Sequence, residues 1–231
     1  MSLLHCAGRL VCYQDSITQD LLDELIPRRL CHLKGTYRFD GGGSGTIRCR
    51  DLCNPAEFEI TINRYAAPFP GADRRAAVSV WTMYYFSHLI VSPLVFWVVD
   101  GRILALGAVD LNARLDPETI LPAGFVLRDA AYRDPATSVF DAMGGAVNGH
   151  ARPLIEAISA QAGVSPRLLW SNVAVYTDWI IREMCSVMPE RRAATLPLLD
   201  SKDWPDGTPN PLAGWIRQGT APDGTFCTQR R

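Results

Sequence analysis

The chain has 231 residues, of which 48% are hydrophobic and 20% are charged, and its formal net charge is −1. This length allows one large domain or one domain with a small appendage, and the composition excludes a disordered chain, a collagen-like repeat and a disulfide miniprotein. A nearly neutral chain also lacks the basic excess that binds nucleic-acid phosphates, so no nucleic acid is expected as a partner.

The cysteines and the N-terminus bear on the cellular compartment. The seven cysteines are odd in number and irregularly spaced, unlike a disulfide framework, which favours a reducing environment. The first nine residues have no basic region ahead of an apolar stretch, so no signal peptide is predicted. Cytoplasmic localisation is therefore the expectation.

The N-terminal third predicts one short helix followed by strands. Leucines at helical spacing predict the helix over 17–26. The glycine-rich residues 40–45 are interpreted as a hairpin loop and not as a phosphate loop, because the sequence has no G-x-x-x-x-G-K-[ST]. Alternation of polar and apolar residues predicts antiparallel strands at 36–39, 46–49 and 57–62.

Residues 76–99 contain no Asp, Glu, Lys or Arg and are long enough to span a bilayer. Several hydroxyl groups, His88 and Pro93 reduce the hydrophobicity of this run, and Pro93 interrupts it. We therefore predict a helix in the centre of the protein core, with contact to the membrane surface left open, in preference to a transmembrane helix.

The segment that follows Pro93 is ambiguous. Asp100-Gly101 between two apolar runs is typical of a hairpin, but the same composition suits a second buried helix over 94–106. Short strands are predicted at 109–115 and 124–127, with Asp116-Pro117 as a turn between them.

The last third predicts helices. Residues 139–162 have apolar periodicity, and Ser165-Pro166 is an N-cap followed by proline at the first helical position. An apolar stripe from Leu169 to Met184 predicts a long helix near 166–188. The expected fold class is α+β, with a small antiparallel sheet and a mostly helical core.

The residues alone indicate no catalytic centre. G-x-S-x-G and H-E-x-x-H are absent, and the four histidines have no metal-ligand spacing. His5-Cys6 and Cys31-His32 would form a tetrahedral zinc site if they met in space, but buried structural cysteine is the favoured interpretation.

Residues 165–174, SPRLLWSNVA, together with the segments 74–94 and 153–158, resemble the FhuF-like ferric siderophore reductases. Pro209-Asn210-Pro211-Leu212 is similar to the same family. The resemblance implies a single α+β domain over 1–212 and a tail over 213–231 that leads toward a cluster-binding segment. It also implies that 94–106 continues as helix, and we adopt that prediction.

The resemblance further implies an activity. Family members are cytoplasmic proteins, associated with the inner membrane, that reduce the ferric ion of hydroxamate siderophores through a [2Fe-2S] cluster. The partners implied are a ferric hydroxamate siderophore and an electron donor such as a reduced ferredoxin or flavoprotein. The family's cluster ligands form the motif C-C-x10-C-x2-C. This sequence contains neither the Cys-Cys pair nor the C-x2-C, so the cluster ligands are not present in this chain.

The resemblance and the absent cluster motif together leave two functions open. The first is a ferric siderophore reductase, or its scaffold without the cluster. The alternative is a non-catalytic siderophore-binding or interaction module. A siderophore-biosynthetic condensing domain would need a nucleotide site that the sequence does not display.

A ferric chelate needs aromatic rings and side-chain donors around it. Catalytic residues are not assigned. His150 is the first candidate for binding, because Asn148-Gly149-His150 at a predicted helix start lets backbone and imidazole approach a ligand. The full set of predicted ligand-binding residues is His150, Asn148, Trp170, Asn172, Trp81 and Tyr84.

Overall fold

A computed structural model describes residues 19–39, 45–101, 103–127, 132–133, 138–220 and 226–230. The chain is mostly helical with a small four-stranded sheet, which confirms the α+β class. The proposed division into 1–212 and 213–231 stays a prediction.

The core is built around helix α3, Arg74–Asp100, which packs against the long helix α6, Pro166–Val187. The N-cap of α3 is Asp73, whose carboxylate accepts a hydrogen bond from the N–H of Arg75. By length and composition α3 is the one described helix apolar enough to cross a membrane, but 72% of its apolar window is buried inside the structure. The helix therefore fits the predicted place at the centre of the core.

The four-stranded sheet covers one side of α3. Its strands are β1 (Tyr37–Arg38), β2 (Thr46–Arg48), β4 (Leu111–Leu115) and β5 (Pro122–Leu127), in the order β1-β5-β4-β2. Strands β4 and β5 are antiparallel and flank a turn at Asp116, as predicted, and β2 pairs antiparallel to β4. Strand β1 runs parallel to β5, so the sheet is mixed and not purely antiparallel.

One predicted strand pairing and one predicted strand are wrong. The strands predicted at 36–39 and 46–49 are present as β1 and β2, but they do not form a hairpin, since they occupy opposite edges of the sheet; residues 40–44 between them lie outside the described residues. Residues 57–62 belong to helix α2, Pro55–Ala66. The Asn54 side chain accepts a hydrogen bond from Ala56 N–H and caps this helix, and the pattern of buried residues has helical spacing.

The helix predicted over 94–106 is correct only as far as Asp100. Gly101 adopts a left-handed conformation with φ of 79° and ends α3, and strand β3, Ile103–Leu104, follows. Strand β3 pairs with β6, Tyr132–Arg133. Pro93 lies inside α3 and is buried, so the packing of the core tolerates a proline within this helix.

The predicted helical stretch over 139–162 consists of three continuous pieces. Helix α4, Val139–Ala146, begins with a capping box between Ser138 and Asp141 and passes into a π-helical turn, Val147–Ala151, called here the π-turn. Helix α5, Arg152–Ala162, continues from that turn.

The remaining elements lie at the two ends of the chain. Helix α1 begins at Gln19, within the helix predicted over 17–26, and residues 17 and 18 lie outside the described residues. Strands β7 and β8 pair in antiparallel fashion within the segment predicted only as a tail. These elements are α1 (Gln19–Leu25), α7 (Arg192–Thr195), α8 (Pro197–Asp200), β7 (Ile216–Thr220) and β8 (Phe226–Arg230).

Replacement of Ser165 by alanine is expected to lower the free energy of unfolding by about 1 kcal/mol. The Ser165 hydroxyl accepts a hydrogen bond of 3.2 Å from Arg167 N–H at the start of α6, and alanine leaves that N–H without its cap. Urea denaturation measures the loss. Ser171→Ala in the same helix is the control and should be nearly neutral, because the Ser171 hydroxyl only donates to the carbonyl of Leu168. Equal losses in the two variants would contradict the capping role.

Candidate binding surface and the buried histidine

His150 lies in the π-turn and is completely buried. Its Nδ1 lies 3.1 Å from the carbonyl oxygen of Leu106, and its Nε2 lies 2.7 Å from the hydroxyl oxygen of Tyr85. Because a carbonyl oxygen only accepts, Nδ1 carries the proton, and the Tyr85 hydroxyl donates to Nε2. Both ring nitrogens are therefore satisfied within the protein.

The electrostatics of this pair follow from its burial. Burial lowers the pKa of His150 to about 4, and the hydrogen bond to Leu106 opposes that change without reversing it. The hydroxyl of Tyr85 is also buried, which raises its pKa well above the usual value. The pair is therefore neutral at pH 7. In this structure the side chain of His150 is part of the buried core. Its contact with a ligand stays a prediction, and that contact would require the core to open.

Trp81 belongs to the same buried aromatic cluster. It is fully buried on α3, its Nε1–H donates to the carbonyl of Ile120, and its ring stacks on Tyr85 at a centroid distance of 5.3 Å. Tyr84, the next residue along α3, faces outward with 39% of its surface exposed. The structure thus places Trp81 with His150 in the core and Tyr84 on the outside of α3.

A second group of predicted residues meets at the surface. The carboxamide oxygen of Asn148 accepts hydrogen bonds from Nε and Nη2 of Arg152 at 3.3 and 2.9 Å. The guanidinium carbon of Arg152 lies 6.0 Å from the centroid of the Trp170 ring, within the range of a cation–π contact. Arg152 therefore joins Asn148 and Trp170, which come from different helical segments.

A second arginine–tryptophan pair extends this surface. Arg167 lies three residues before Trp170, so the two share one face of α6, and the Arg167 guanidinium lies 5.3 Å from the Trp215 ring centroid. The Trp215 Nε1–H donates to the carbonyl of Pro211, and Nη2 of Arg152 donates to the carbonyl of Pro209. We call the set Asn148, Arg152, Arg167, Trp170 and Trp215 the arginine–tryptophan surface.

Asn172 lies on α6 but is not joined to this surface by any described contact. Its amide nitrogen is buried and has no hydrogen-bond partner among the described residues. Arg152, Arg167 and Trp215 are not among the binding residues predicted from the sequence. The spacing in the sequence indicates Arg152 and Arg167. Asn148 and Arg152 are four residues apart and Arg167 and Trp170 are three apart, which places each pair on one helix face.

The described cysteines do not fit an iron–sulfur cluster, which needs four thiolates around one site. Among the residues in the described ranges, no three His, Cys, Asp or Glu side chains are grouped to hold a metal ion. Cys49 is buried, and burial raises its pKa to about 12, so its thiol stays protonated. The zinc hypothesis involved His5 and Cys6, which lie outside the described residues, as do the side chains of Cys12 and Cys227.

The purified 231-residue chain is expected to be colourless. Thiolate-ligated iron–sulfur clusters absorb between roughly 400 and 550 nm, and the sequence lacks the family's set of thiolate ligands. Anaerobic purification followed by an absorption spectrum and an iron assay tests this. A reddish-brown preparation with two irons per chain would contradict the expectation and direct attention to Cys6, Cys31, Cys49, Cys53 and Cys227 as ligands.

Comparison with known proteins assigns the class. The family model described as ferric iron reductase FhuF-like transporter matches residues 79–222, more than half of the chain. The match includes α3 from residue 79 onward, the π-turn, α6 and the whole arginine–tryptophan surface. The chain belongs to the FhuF-like family.

Two solved structures share the fold. ATP-bound aerobactin synthetase IucA from a hypervirulent pathotype of Klebsiella pneumoniae matches with a TM-score of 0.60 and 12% identity, over 73% of this chain and 37% of that one. Another structure of the same synthetase matches with a TM-score of 0.58 and 13% identity, over 73% and 38%. The chain thus spans less than two fifths of either neighbour, and the likeness concerns the fold alone. A search of curated proteins found no match.

Proposed function

We propose that this protein binds ferric hydroxamate siderophores in the cytoplasm and supports the one-electron reduction of their iron. The observation that carries the proposal is the FhuF-like family match over residues 79–222, whose description is that of a ferric iron reductase. The fold shared with an aerobactin synthetase is consistent with a protein of siderophore metabolism.

The chemistry that we propose is simple. Hydroxamate oxygens are hard anionic donors and hold Fe(III) much more tightly than Fe(II). One electron from an external reduced carrier, a ferredoxin or a flavoprotein, converts bound Fe(III) to Fe(II), and the chelate then releases the metal. In this scheme the protein holds and orients the chelate while the carrier supplies the electron.

The arginine–tryptophan surface supports a place for the chelate. Trp170 and Trp215 are partly exposed aromatic side chains that would contact the apolar rim of a chelate, while Arg152 and the Asn148 amide offer polar groups beside them. Aromatic surface combined with a few oriented polar groups is the usual composition of a small-molecule site. His150, Trp81, Tyr84 and Asn172 remain candidates without a described contact to this surface.

The family's [2Fe-2S] cluster would supply the electron directly to the chelate. The described cysteines do not fit it, so in this proposal the electron comes from the external carrier. The alternative function is a siderophore-binding or interaction module without catalysis of its own. The two functions differ in one measurable property, which is whether Fe(II) appears.

Peripheral contact with the inner membrane is a further part of the proposal. Ile60, Phe69, Val80 and Tyr84 are exposed apolar side chains on α2, α3 and the loop between them, and Arg64 is exposed on the same part of the chain. Exposed apolar side chains of this kind suit contact with a membrane surface. Flotation with anionic vesicles should carry the protein upward, and Phe69→Ser should reduce the floating fraction. No flotation of the unmodified protein would remove the membrane from the proposal.

The function is tested by titrating the protein with a ferric trihydroxamate while tryptophan fluorescence is recorded. Saturable quenching is expected, and Trp170→Leu should weaken binding about fivefold, since an aromatic contact contributes about 1 kcal/mol. Trp179→Leu is the matched control, because Trp179 is also partly buried on α6 but contacts His32. Absence of saturable quenching would contradict binding.

The reductase activity is tested with the same chelate and a reduced flavoprotein, with an Fe(II)-specific dye as the detector. The complete proposal predicts that adding the protein accelerates Fe(II) formation and that Trp170→Leu lowers this acceleration at subsaturating chelate. Binding without any acceleration would favour the non-catalytic module.

A further inference from the structure

We propose that Arg152 and Arg167 make the arginine–tryptophan surface select ferric hydroxamate chelates that carry a free carboxylate over neutral ones. This inference rests on the proposed function and names the substrate class for the same site. The carboxylate, and not the iron centre, is the group that the two arginines would recognise.

Arg152 is held in a fixed position with one edge available. A guanidinium has five N–H donors, and the described hydrogen bonds of Arg152 use Nε toward Asn148 and Nη2 toward Asn148 and Pro209. Nη1 makes no hydrogen bond to a described residue. The side chain is partly exposed, and its guanidinium carbon lies 6.0 Å from the centroid of the Trp170 ring. Its Nη1 edge is therefore positioned to donate to a carboxylate without further ordering of the side chain.

Arg167 provides a second cation on the same side of α6. The residue is exposed, its guanidinium lies over Trp215, and it forms no ion pair with a carboxylate of the described residues. It lies in the first turn of α6, where the partial positive charge of the helix start also favours an anion. Each indole of this surface thus has an arginine in cation–π range.

The acidic residues nearby do not neutralise these arginines by direct contact. Hydrogen bonds from the Thr208 hydroxyl and N–H lower the pKa of Asp206 and direct its carboxylate into its own turn, and the charge of Arg152 lowers that pKa further. Glu156 lies one turn after Arg152 on α5, but no ion pair joins the two residues. A carboxylate brought by a ligand would therefore meet donors that no described carboxylate occupies.

A matched pair of synthetic ligands tests the selectivity. Both are ferric trihydroxamates of the same skeleton, one with a pendant carboxylate and the other with a carboxamide in its place. Calorimetry at low ionic strength should give about tenfold tighter binding of the carboxylate form, the size expected for one charge-assisted hydrogen bond. Because part of this preference is electrostatic, it should decrease in 0.5 M salt.

Arginine variants identify the source of the preference. R152Q and R167Q should each bring the two affinities closer, and R152K should retain part of the difference because it keeps the charge. Arg29→Gln is the control: Arg29 pairs with Glu183 near the other end of α6, about 24 Å along the helix from Arg167, and its loss should leave the preference unchanged.

The outcomes separate this inference from the proposed function. Equal binding of both ligands by the unmodified protein, or an undiminished preference in R152Q and R167Q that unfold at the same temperature as the unmodified protein, would overturn the selectivity and leave chelate binding standing. Equal weakening of both ligands in R152Q with a lowered melting temperature would mean that Arg152 acts mainly by stabilising the chain at Pro209, and this would also overturn the selectivity. Failure of both ligands to bind would refute the proposed function itself.

Discussion

Replacement of His150 by alanine is expected to lower the free energy of unfolding by about 3 to 5 kcal/mol. The imidazole is fully buried between Tyr85, Phe125 and the Leu106 carbonyl, so its removal leaves a cavity and takes the hydrogen-bond acceptor away from the buried Tyr85 hydroxyl. Urea denaturation at pH 7 measures the change. Asn148→Ala in the same π-turn is the control and should cost about 1 kcal/mol or less, because Asn148 is only partly buried. A small loss in His150→Ala would contradict the core role.

The same histidine should make stability depend on pH. Its pKa is about 4 in the folded protein and about 6.5 in an unfolded chain, so the unfolded state binds more protons between these values. The stability contributed by neutral His150 is fully present above pH 6.5 and is lost as the pH falls toward 4, by about 3 kcal/mol. His150→Gln should remove this part of the pH dependence. Parallel pH profiles for the two proteins would show that His150 is not the group responsible.

Replacement of Gly124 by alanine is expected to lower the free energy of unfolding by about 3 kcal/mol or more. Gly124 lies in β5 with φ of 130°, and a Cβ at this position would overlap the carbonyl oxygen of Thr36. That carbonyl accepts a 2.7 Å hydrogen bond from Phe125 N–H where β1 meets β5. Alanine therefore combines backbone strain with separation of the parallel strand pair.

Gly207→Ala is the matched control for Gly124→Ala. Gly207 has φ of 84°, but a Cβ there meets no atom within 4 Å. Its replacement should cost only the left-handed strain of about 1 to 2 kcal/mol. Thermal and urea denaturation of the two variants compare the losses. Equal losses would mean that the contact with Thr36 contributes nothing beyond backbone strain.

The helices were the most predictable part of the fold. The start of α6 could be predicted because Ser165-Pro166 is a local capping signal and the apolar stripe that follows runs for several turns. A short polar–apolar alternation such as 57–62 predicts a strand, because so few residues do not distinguish the two-residue period of a strand from the 3.6-residue period of a helix. In α2 the buried residues Thr61 and Ile62 lie one helical turn after Phe58. The parallel pairing of β1 with β5 depends on contacts distant in sequence, which no local pattern encodes.

The candidate site was predicted only in part. Asn148 and Trp170 were named for their chemistry, and the structure joins them through Arg152, whose role depends on how α5 and α6 meet. His150 was named because it lies close to Gly149 at a predicted helix start. A sequence cannot show that Tyr85 and the Leu106 carbonyl satisfy both of its nitrogens, since those partners lie 65 and 44 residues away.

Isothermal titration with a gallium(III) trihydroxamate tests the central claim most directly, because Ga(III) forms chelates of the same shape and charge as Fe(III) but is not reduced. Saturable binding of one chelate per chain is expected, weakened in Trp170→Leu and unchanged in Arg29→Gln. Absence of saturable heat with the folded protein, or the same affinity in all three proteins, would contradict the claim that a siderophore chelate binds at the arginine–tryptophan surface.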